Sequence, residues 1–306
     1  MSNGWLLERK WAKGHIEYKK DMALQYTYQF EAIGTPWSID TAAKLSQAQK
    51  QAIHQLINEF DANYSRFRTD SLVSQARRNG AGTYTFPDTI KHLYDTYVLL
   101  EQATRGAVNP LVGETLEHFG YDAQYSLQAK SMSAVKPPSF AQTITRANNS
   151  LTYKRPALLD IGAIGKGYLV DLVADYLAPQ YKEYVVEAGG DMRIACHEPY
   201  VIGLEDPSSD GQIIGTLSLQ NQSICASSPN RRSWGKGLHH IIDATTGKPT
   251  ASDIVATWAI APTTLLADAL TTALFFVPAA ELQKVFGNFE YISMQRNGHV
   301  EHNIVT

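Results

Sequence analysis

Cysteine is scarce: Cys196 and Cys225 are the whole complement, and they form neither a CxxC nor a zinc-type cluster. Two are too few to staple a secreted fold, so a reducing compartment is the simpler setting. Net charge is also nearly absent. With 27 Lys+Arg against 30 Asp+Glu the chain carries −3, so it has no overall basic field to hold a nucleic-acid backbone, and nucleic acid is not an expected partner. Long hydrophobic runs are missing as well. The most apolar stretch, Ile254 to Val277, is interrupted by Pro262 and carries Asp268; it reads as a buried strand and helix, and no membrane span is expected. The opening residues, MSNGWLLERKWAKGH, contain no apolar signal-peptide core and no small-residue–Cys lipoprotein ending, which points to a cytoplasmic protein.

What remains is a globular composition. The 306 residues are 44% hydrophobic and 19% charged, enough to bury a substantial core and far from a disordered chain. Alternation from Leu24 to Phe30 predicts a strand. Leu45, Ala48, Ala52, Leu56 and Phe60 then predict a helix from about Thr41 to Asn63. A second helix is expected after Phe86-Pro87, with Asp88 as its N-cap. Residues 130–150 read as an irregular connection between two lobes. Ala157 to Asp160 reads as a strand, Gly165 to Tyr176 as a helix, and Tyr184 to Cys225 as short strands broken by Gly-Gly and Asp-Pro turns. Strands in runs with grouped helices favour an α+β fold over regular βαβ alternation.

Three segments have the residues for chemistry. Leu159 to Tyr168 places Gly162, Gly165, Gly167 and Lys166 at a strand-to-helix junction, where exposed amides could receive a phosphate. The spacing is GxxGxG, neither the dinucleotide fingerprint nor a P-loop, and a tight turn with close helix packing accounts for the same residues. Thr263 to Phe276 should be a helix entered at Thr263 or Thr264, with Asp268 and Thr272 four apart on one face. A carboxylate in such apolar company must be exposed, paired or metal-bound, and a carboxylate with a hydroxyl suits Mg²⁺ better than a soft metal. An amphipathic helix with a wet polar edge explains the pattern equally well. Leu238 to Pro249 reads as a strand running into a turn. Of its adjacent histidines, His239 and His240, one can face a given side, as a general base or as an ordinary strand histidine. Gly189-Gly190-Asp191 reads as a turn that also lets a ligand approach the backbone.

Taken in order, these segments resemble the ApbE family of FAD:protein FMN transferases. The match includes Ile33-Gly34-Thr35, Ser65-Arg66-Phe67 with Asp70-Ser71, and Gly106-Ala107-Val108-Asn109-Pro110. It continues through Leu159 to Asp171, Gly189-Gly190-Asp191, His240-Ile241-Ile242-Asp243 with Thr246-Gly247, and Ala267-Asp268-Ala269-Leu270 with Thr272-Ala273. The resemblance implies a single domain over residues 1–306, α+β and T-fold-like, of mixed sheets with helices, with two lobes meeting near 130–150 and FAD between them. It also implies the activity: Mg²⁺-dependent transfer of FMN from FAD to a threonine of an acceptor flavoprotein, with AMP released. The implied metal positions are Asp268, Thr272 and the Ala163 carbonyl. The implied FAD contacts are Ile33, Phe67, Ala107, Val108, Asn109, Gly162 and Lys166. His240 is implied to orient or deprotonate the acceptor threonine, with Asp268 as the second catalytic position. Val108-Asn109 departs from the usual Phe-Asp, Ala244 from proline, and Ser227-Ser228-Pro229 from a Thr-Ser-Gly type segment. A Mg²⁺-dependent FAD pyrophosphatase and a non-catalytic FAD-binding protein are the alternatives; retention of both Asp268 and Thr272 favours an enzyme.

Overall fold

Alternating side chains along antiparallel strands give the central sheet a core on each face, and Leu116, Phe119, Tyr121, Trp234, Leu238 and Ile242 form a third, smaller cluster. A computed structural model describes residues 24–209 and 211–304; the opening stretch read for a signal sequence lies outside the described residues. The sheet has eight strands in the spatial order Tyr26–Ala32, Thr35–Thr41, Tyr184–Ala188, Asp191–Ala195, Ser223–Ser227, Ile254–Ala261, Glu290–Gln295 and Val300–His302. Every pairing in it is antiparallel.

Val186, Ala188, Cys225, Ala259 and Ala261 face one way and join the larger core with the helices. Their neighbours Val185, Ile224, Trp258 and Ile260 face the other way. There they meet Tyr200, Ile202, Leu204 and Leu219 of a separate hairpin, Tyr200–Glu205 paired with Ile213–Leu219. Small residues dominate the helical face for a reason. The helices Gly165–Leu177 and Thr264–Ala273 press against each other and against the sheet, and a Cβ on Gly167 would overlap the Thr264 carbonyl and stand 2.6 Å from the Asp268 Cβ.

The second of these helices is fixed by polar bonds as well as packing. Thr263 caps it, its hydroxyl accepting from the Leu266 amide. The Asp171 carboxylate, from the neighbouring helix, accepts from the Thr264 and Leu265 amides at 2.9 and 2.8 Å, using free first-turn donors. Burial nonetheless raises the Asp171 pKa. Thr257 donates to the Thr271 carbonyl at 2.8 Å, and Ser223 and Thr264 hydroxyls bond at 2.9 Å.

Several expectations from sequence are corrected. The first helix runs Gln47–Tyr64 and starts later than Thr41, because Ser46 and Gln49 close a capping box and Thr35–Thr41 is claimed by the sheet. Asp88 is not the next cap. Ile90–Ala103 begins after Thr89 without a side-chain cap, and Asp88 pairs with Lys91 at 2.9 Å. Residues 130–150 are only partly irregular: Phe140–Thr143 is a short helix, and Ile144–Ala147 pairs with Ser150–Tyr153 in a three-stranded sheet that also includes Gly82–Thr85. Asn148, with φ 53°, turns that hairpin. Ala157 to Asp160 joins no ladder; the Asp160 amide bonds instead to the Pro110 carbonyl at 2.7 Å. Leu238 to Asp243 is two two-residue strands, leaving His240 at the bend between them.

Candidate active site

The glycine-rich turn and the Asp268 helix meet as charge partners. The Gly167 amide donates to Asp268 Oδ2 at 2.9 Å. Close by, the hairpin between Tyr184–Ala188 and Asp191–Ala195 turns through Gly189 and Gly190, with φ of 52° and 93°, the left-handed pair that a two-residue hairpin requires. A Cβ on Gly189 would collide with the Thr35 hydroxyl. Lys166 reaches this hairpin, donating to the Ala188 carbonyl at 3.0 Å and forming an ion pair with the fully buried Asp191.

The result is a pair of buried carboxyl groups beside Lys166. Asp191 and Asp268 are both buried, the Asp191 charge acts on Asp268, and the Lys166 ammonium acts on both. Burial first, then the Asp191 charge, holds the Asp268 carboxyl well above the usual range. Burial also raises Asp191. The Lys166 ammonium is nevertheless held above its ordinary value, because the two carboxylates outweigh its desolvation. Cys225 lies buried beside them, its thiol pushed well up by desolvation and by both carboxylates; it is not a reactive thiolate.

Asp268 Oδ1 and the Thr272 hydroxyl make no hydrogen bond among the described residues. The neighbouring Thr271 is the structural threonine, donating to the Asp268 carbonyl at 2.8 Å. Among the described residues no group of three or more His, Cys, Asp or Glu side chains is placed to hold a metal. A set of one carboxylate, one hydroxyl and one carbonyl is a different arrangement, with the hard oxygen donors that Mg²⁺ takes. Ala163 lies in the turn before the Gly165–Leu177 helix. The Tyr97 hydroxyl bonds the Asp160 carbonyl at 3.1 Å, next to the Ala163 backbone and within the field of Asp268, so the turn and the carboxylate share one neighbourhood.

The expected phosphate-receiving amides are already engaged. Gly165 donates to the Ile161 carbonyl at 2.7 Å and Gly167 to Asp268. Gly162 donates to Asp160 Oδ1 at 2.6 Å, and Asp160 is held in turn by Arg66 at 2.5 Å. Asn109 is also committed, its amide donating to the Pro138 carbonyl at 3.0 Å and its oxygen accepting from Leu111. Ala107 and Val108 are buried, and the Ala107 carbonyl accepts from the Ala244 amide at 3.0 Å. A cleft of about 530 Å³ opens beside Asn109, lined also by Glu101, Arg105 and Ala244, but it does not include Asp268 or Lys166.

The two histidines separate cleanly. His239 Nε2 donates to the Thr250 carbonyl at 3.3 Å while its Nδ1 accepts from the Ile241 amide, so both ring nitrogens are used. His240 Nδ1 donates to the Arg232 carbonyl at 3.3 Å, leaving Nε2 as a lone-pair acceptor. Desolvation, with the Arg232 charge behind it, pulls His240 down to about 3. That shift favours a neutral imidazole that accepts a hydrogen bond over a general base poised near neutrality. The Arg232 guanidinium also acts on Asp268 and Tyr121. Arg232 and Tyr97 are not among the candidate site residues read from sequence, and Asp191 and Arg66 enter only as members of the Gly189-Gly190-Asp191 and Ser65-Arg66-Phe67 segments, with no role of their own. A buried carboxylate is the signal that marks Asp191 as more than a turn residue, and its burial is visible only in the fold.

Ile33 has φ 47° in the turn between the first two strands. Phe67 is packed by the Arg66 guanidinium, 4.1 Å from its ring centroid, by the edge of Tyr121, and by a parallel Tyr125 ring at 5.1 Å.

The pattern of the ApbE family matches residues 33–293, a span that includes every site segment described above, and the chain belongs to the ApbE family. Among curated relatives, a FAD:protein FMN transferase of Vibrio cholerae is 26% identical over 81% of this chain and 77% of its own length. One from Klebsiella pneumoniae is 36% identical over 41% of each chain. Solved structures agree on the fold. The flavin transferase ApbE from Vibrio cholerae superposes with a TM-score of 0.77 at 22% identity, covering 91% of this chain and 96% of that one. An ApbE protein from Thermotoga maritima gives 0.77 at 24% identity with the same coverage. No described helix is long and apolar enough to cross a membrane.

Proposed function

We propose that this protein is a Mg²⁺-dependent FAD:protein FMN transferase, joining FMN by a phosphoester to a threonine of an acceptor flavoprotein and releasing AMP. The names of its relatives support the activity. The observation that carries the metal assignment is the geometry at the buried Asp268, where the Gly167 amide takes Oδ2 and leaves Oδ1 on the same helix as the Thr272 hydroxyl. Asp268 Oδ1, the Thr272 hydroxyl and the Ala163 carbonyl would hold the ion, which when bound neutralises charge on the pyrophosphate.

The chain's own residues do the rest. Lys166, stationed on the Gly189 hairpin by Asp191, and the nearby Arg232 supply positive potential for phosphate oxygens. Ile33, Phe67, Gly162 and the 107–109 segment line the FAD site. His240 Nε2 accepts a hydrogen bond from the acceptor threonine and so aims its oxygen. That oxygen forms a bond to the FMN phosphorus, the bridging P–O bond breaks, the electron pair leaves with AMP, and the hydroxyl proton passes to solvent. With a pKa near 3, His240 orients the hydroxyl and does not hold its proton.

The test is incubation with FAD and Mg²⁺, with and without a recombinant acceptor domain bearing the target threonine, following AMP release and acceptor mass. Acceptor-dependent AMP with an FMN mass adduct is the expected result. AMP and free FMN at equal rates with and without acceptor would replace this reading with a pyrophosphatase.

A further inference from the structure

Tyr125 lies across the gap between two positions expected to touch FAD. Its ring is parallel to that of Phe67, 14° between planes with centroids 5.1 Å apart. Its hydroxyl comes 4.0 Å from where a Cβ on Gly34 would stand, beside Ile33. A ligand that touches both Ile33 and Phe67 would therefore contact Tyr125.

The groups around Phe67 differ in how they are held. Arg66 is buried and ion-paired to Asp160. Tyr121 is buried and stacked on Trp234 at 5.5 Å, and Trp234 is tied to the Phe119 carbonyl at 2.8 Å. Tyr125 is 53% exposed and makes its ring contacts from a loop. That loop is built to present it. Asp122 Oδ1 accepts from the Gln124 and Ser126 amides and Oδ2 from the Ser126 hydroxyl, at 3.1, 3.0 and 2.6 Å. Tyr125 and Leu127 take φ of 50° and 51°, a region that bulky side chains seldom adopt and that the surrounding bonds must enforce.

We infer that Tyr125 is a displaceable aromatic gate: it occupies the Phe67 stacking surface in the free protein and yields it to the flat heterocyclic ring of the dinucleotide. This rests on the reading of the site as a FAD site. Ligand and Tyr125 compete for one aromatic partner, so removal of the tyrosine ring strengthens binding by roughly the worth of one stacked pair.

The measurement is equilibrium and stopped-flow binding of FAD, followed by flavin fluorescence, to the wild type, Tyr125→Ala and Tyr125→Phe, with inorganic pyrophosphate as a ringless competitor. Tyr125→Ala is expected to bind FAD about two- to tenfold tighter with a faster association rate. Tyr125→Phe, which keeps the ring, should stay within about twofold of wild type, and pyrophosphate should bind all three alike. Weaker FAD binding by Tyr125→Ala would make the tyrosine part of the ligand's own clamp, and unchanged binding would leave it no role; either overturns the gate alone. A wild type that binds pyrophosphate but no FAD overturns the FAD site and the gate with it. Thermal melting of the exposed-loop variants separates a binding change from a folding change.

Discussion

The Gly167 amide donates to Asp268 Oδ2 across two packed helices, 2.9 Å apart and 101 residues apart in sequence. One carboxylate oxygen is thereby fixed.

Asp268→Asn keeps the shape and an oxygen for the Gly167 amide but removes the charge. Its fold should survive. Acceptor-dependent AMP release should fall by about 100-fold or more, since loss of a ligand exceeds the usual cost of an outer-shell change. A Mg²⁺ titration of AMP release checks this; wild-type turnover at saturating Mg²⁺ would remove Asp268 from the metal set.

Gly167→Ala introduces a Cβ against the Thr264 carbonyl and the Asp268 Cβ. The nearest obstacle is backbone, which cannot rotate away. Overpacking of this kind costs about 1–3 kcal/mol, to be read as a lowered urea midpoint at unchanged m-value. An equally stable variant would mean that the helices separate freely.

Lys166→Met strips the ammonium from Asp191, the buried carboxylate with which it forms an ion pair. Leaving the buried carboxylate alone should cost about 3–5 kcal/mol. Lys166→Met combined with Asp191→Leu should recover much of that loss, although neither variant should transfer FMN. Additive losses in the double-mutant cycle would argue that the two groups are independent.

Acid should destabilise the fold through His240. In the unfolded chain its imidazole titrates near the ordinary 6.5, and in the folded chain near about 3. The unfolded state therefore binds the proton first as pH falls. The stability this group contributes is full above about pH 6.5 and is lost progressively toward pH 3. Urea unfolding between pH 7 and about 5 should thus show a shallower decline in His240→Gln than in the wild type. The imidazole C–H resonances of His240 should not shift across that range; a midpoint near 6 would contradict the environment described here.

Much of this was legible in the chain because local chemistry specifies it. The Gly165–Leu177 and Thr264–Ala273 helices follow from apolar spacing and from Thr263 as a cap, and the Asp268–Thr272 pairing follows from helical geometry alone. The misplaced start of the first helix, and the strand expected at Ala157 to Asp160, failed where a neighbour competed. The Thr35–Thr41 ladder and the Ser46–Gln49 box took the early residues, and Asp160 found a loop carbonyl in place of a strand partner.

The sequence by itself determined the α+β class, the family, and which residue types lie at the turn, the helix and the His-His segment, since those depend on composition, order and short-range periodicity. Only the tertiary structure decided which of two adjacent histidines keeps a nitrogen free, that the glycine amides are already bonded, that Asp171 caps a helix 93 residues away, and that Tyr125 covers Phe67. The reason is physical. Hydrogen-bond partners, desolvation and the sharing of one ammonium by two carboxylates belong to the surroundings of a group, and the fold assembles those surroundings from segments the chain keeps far apart.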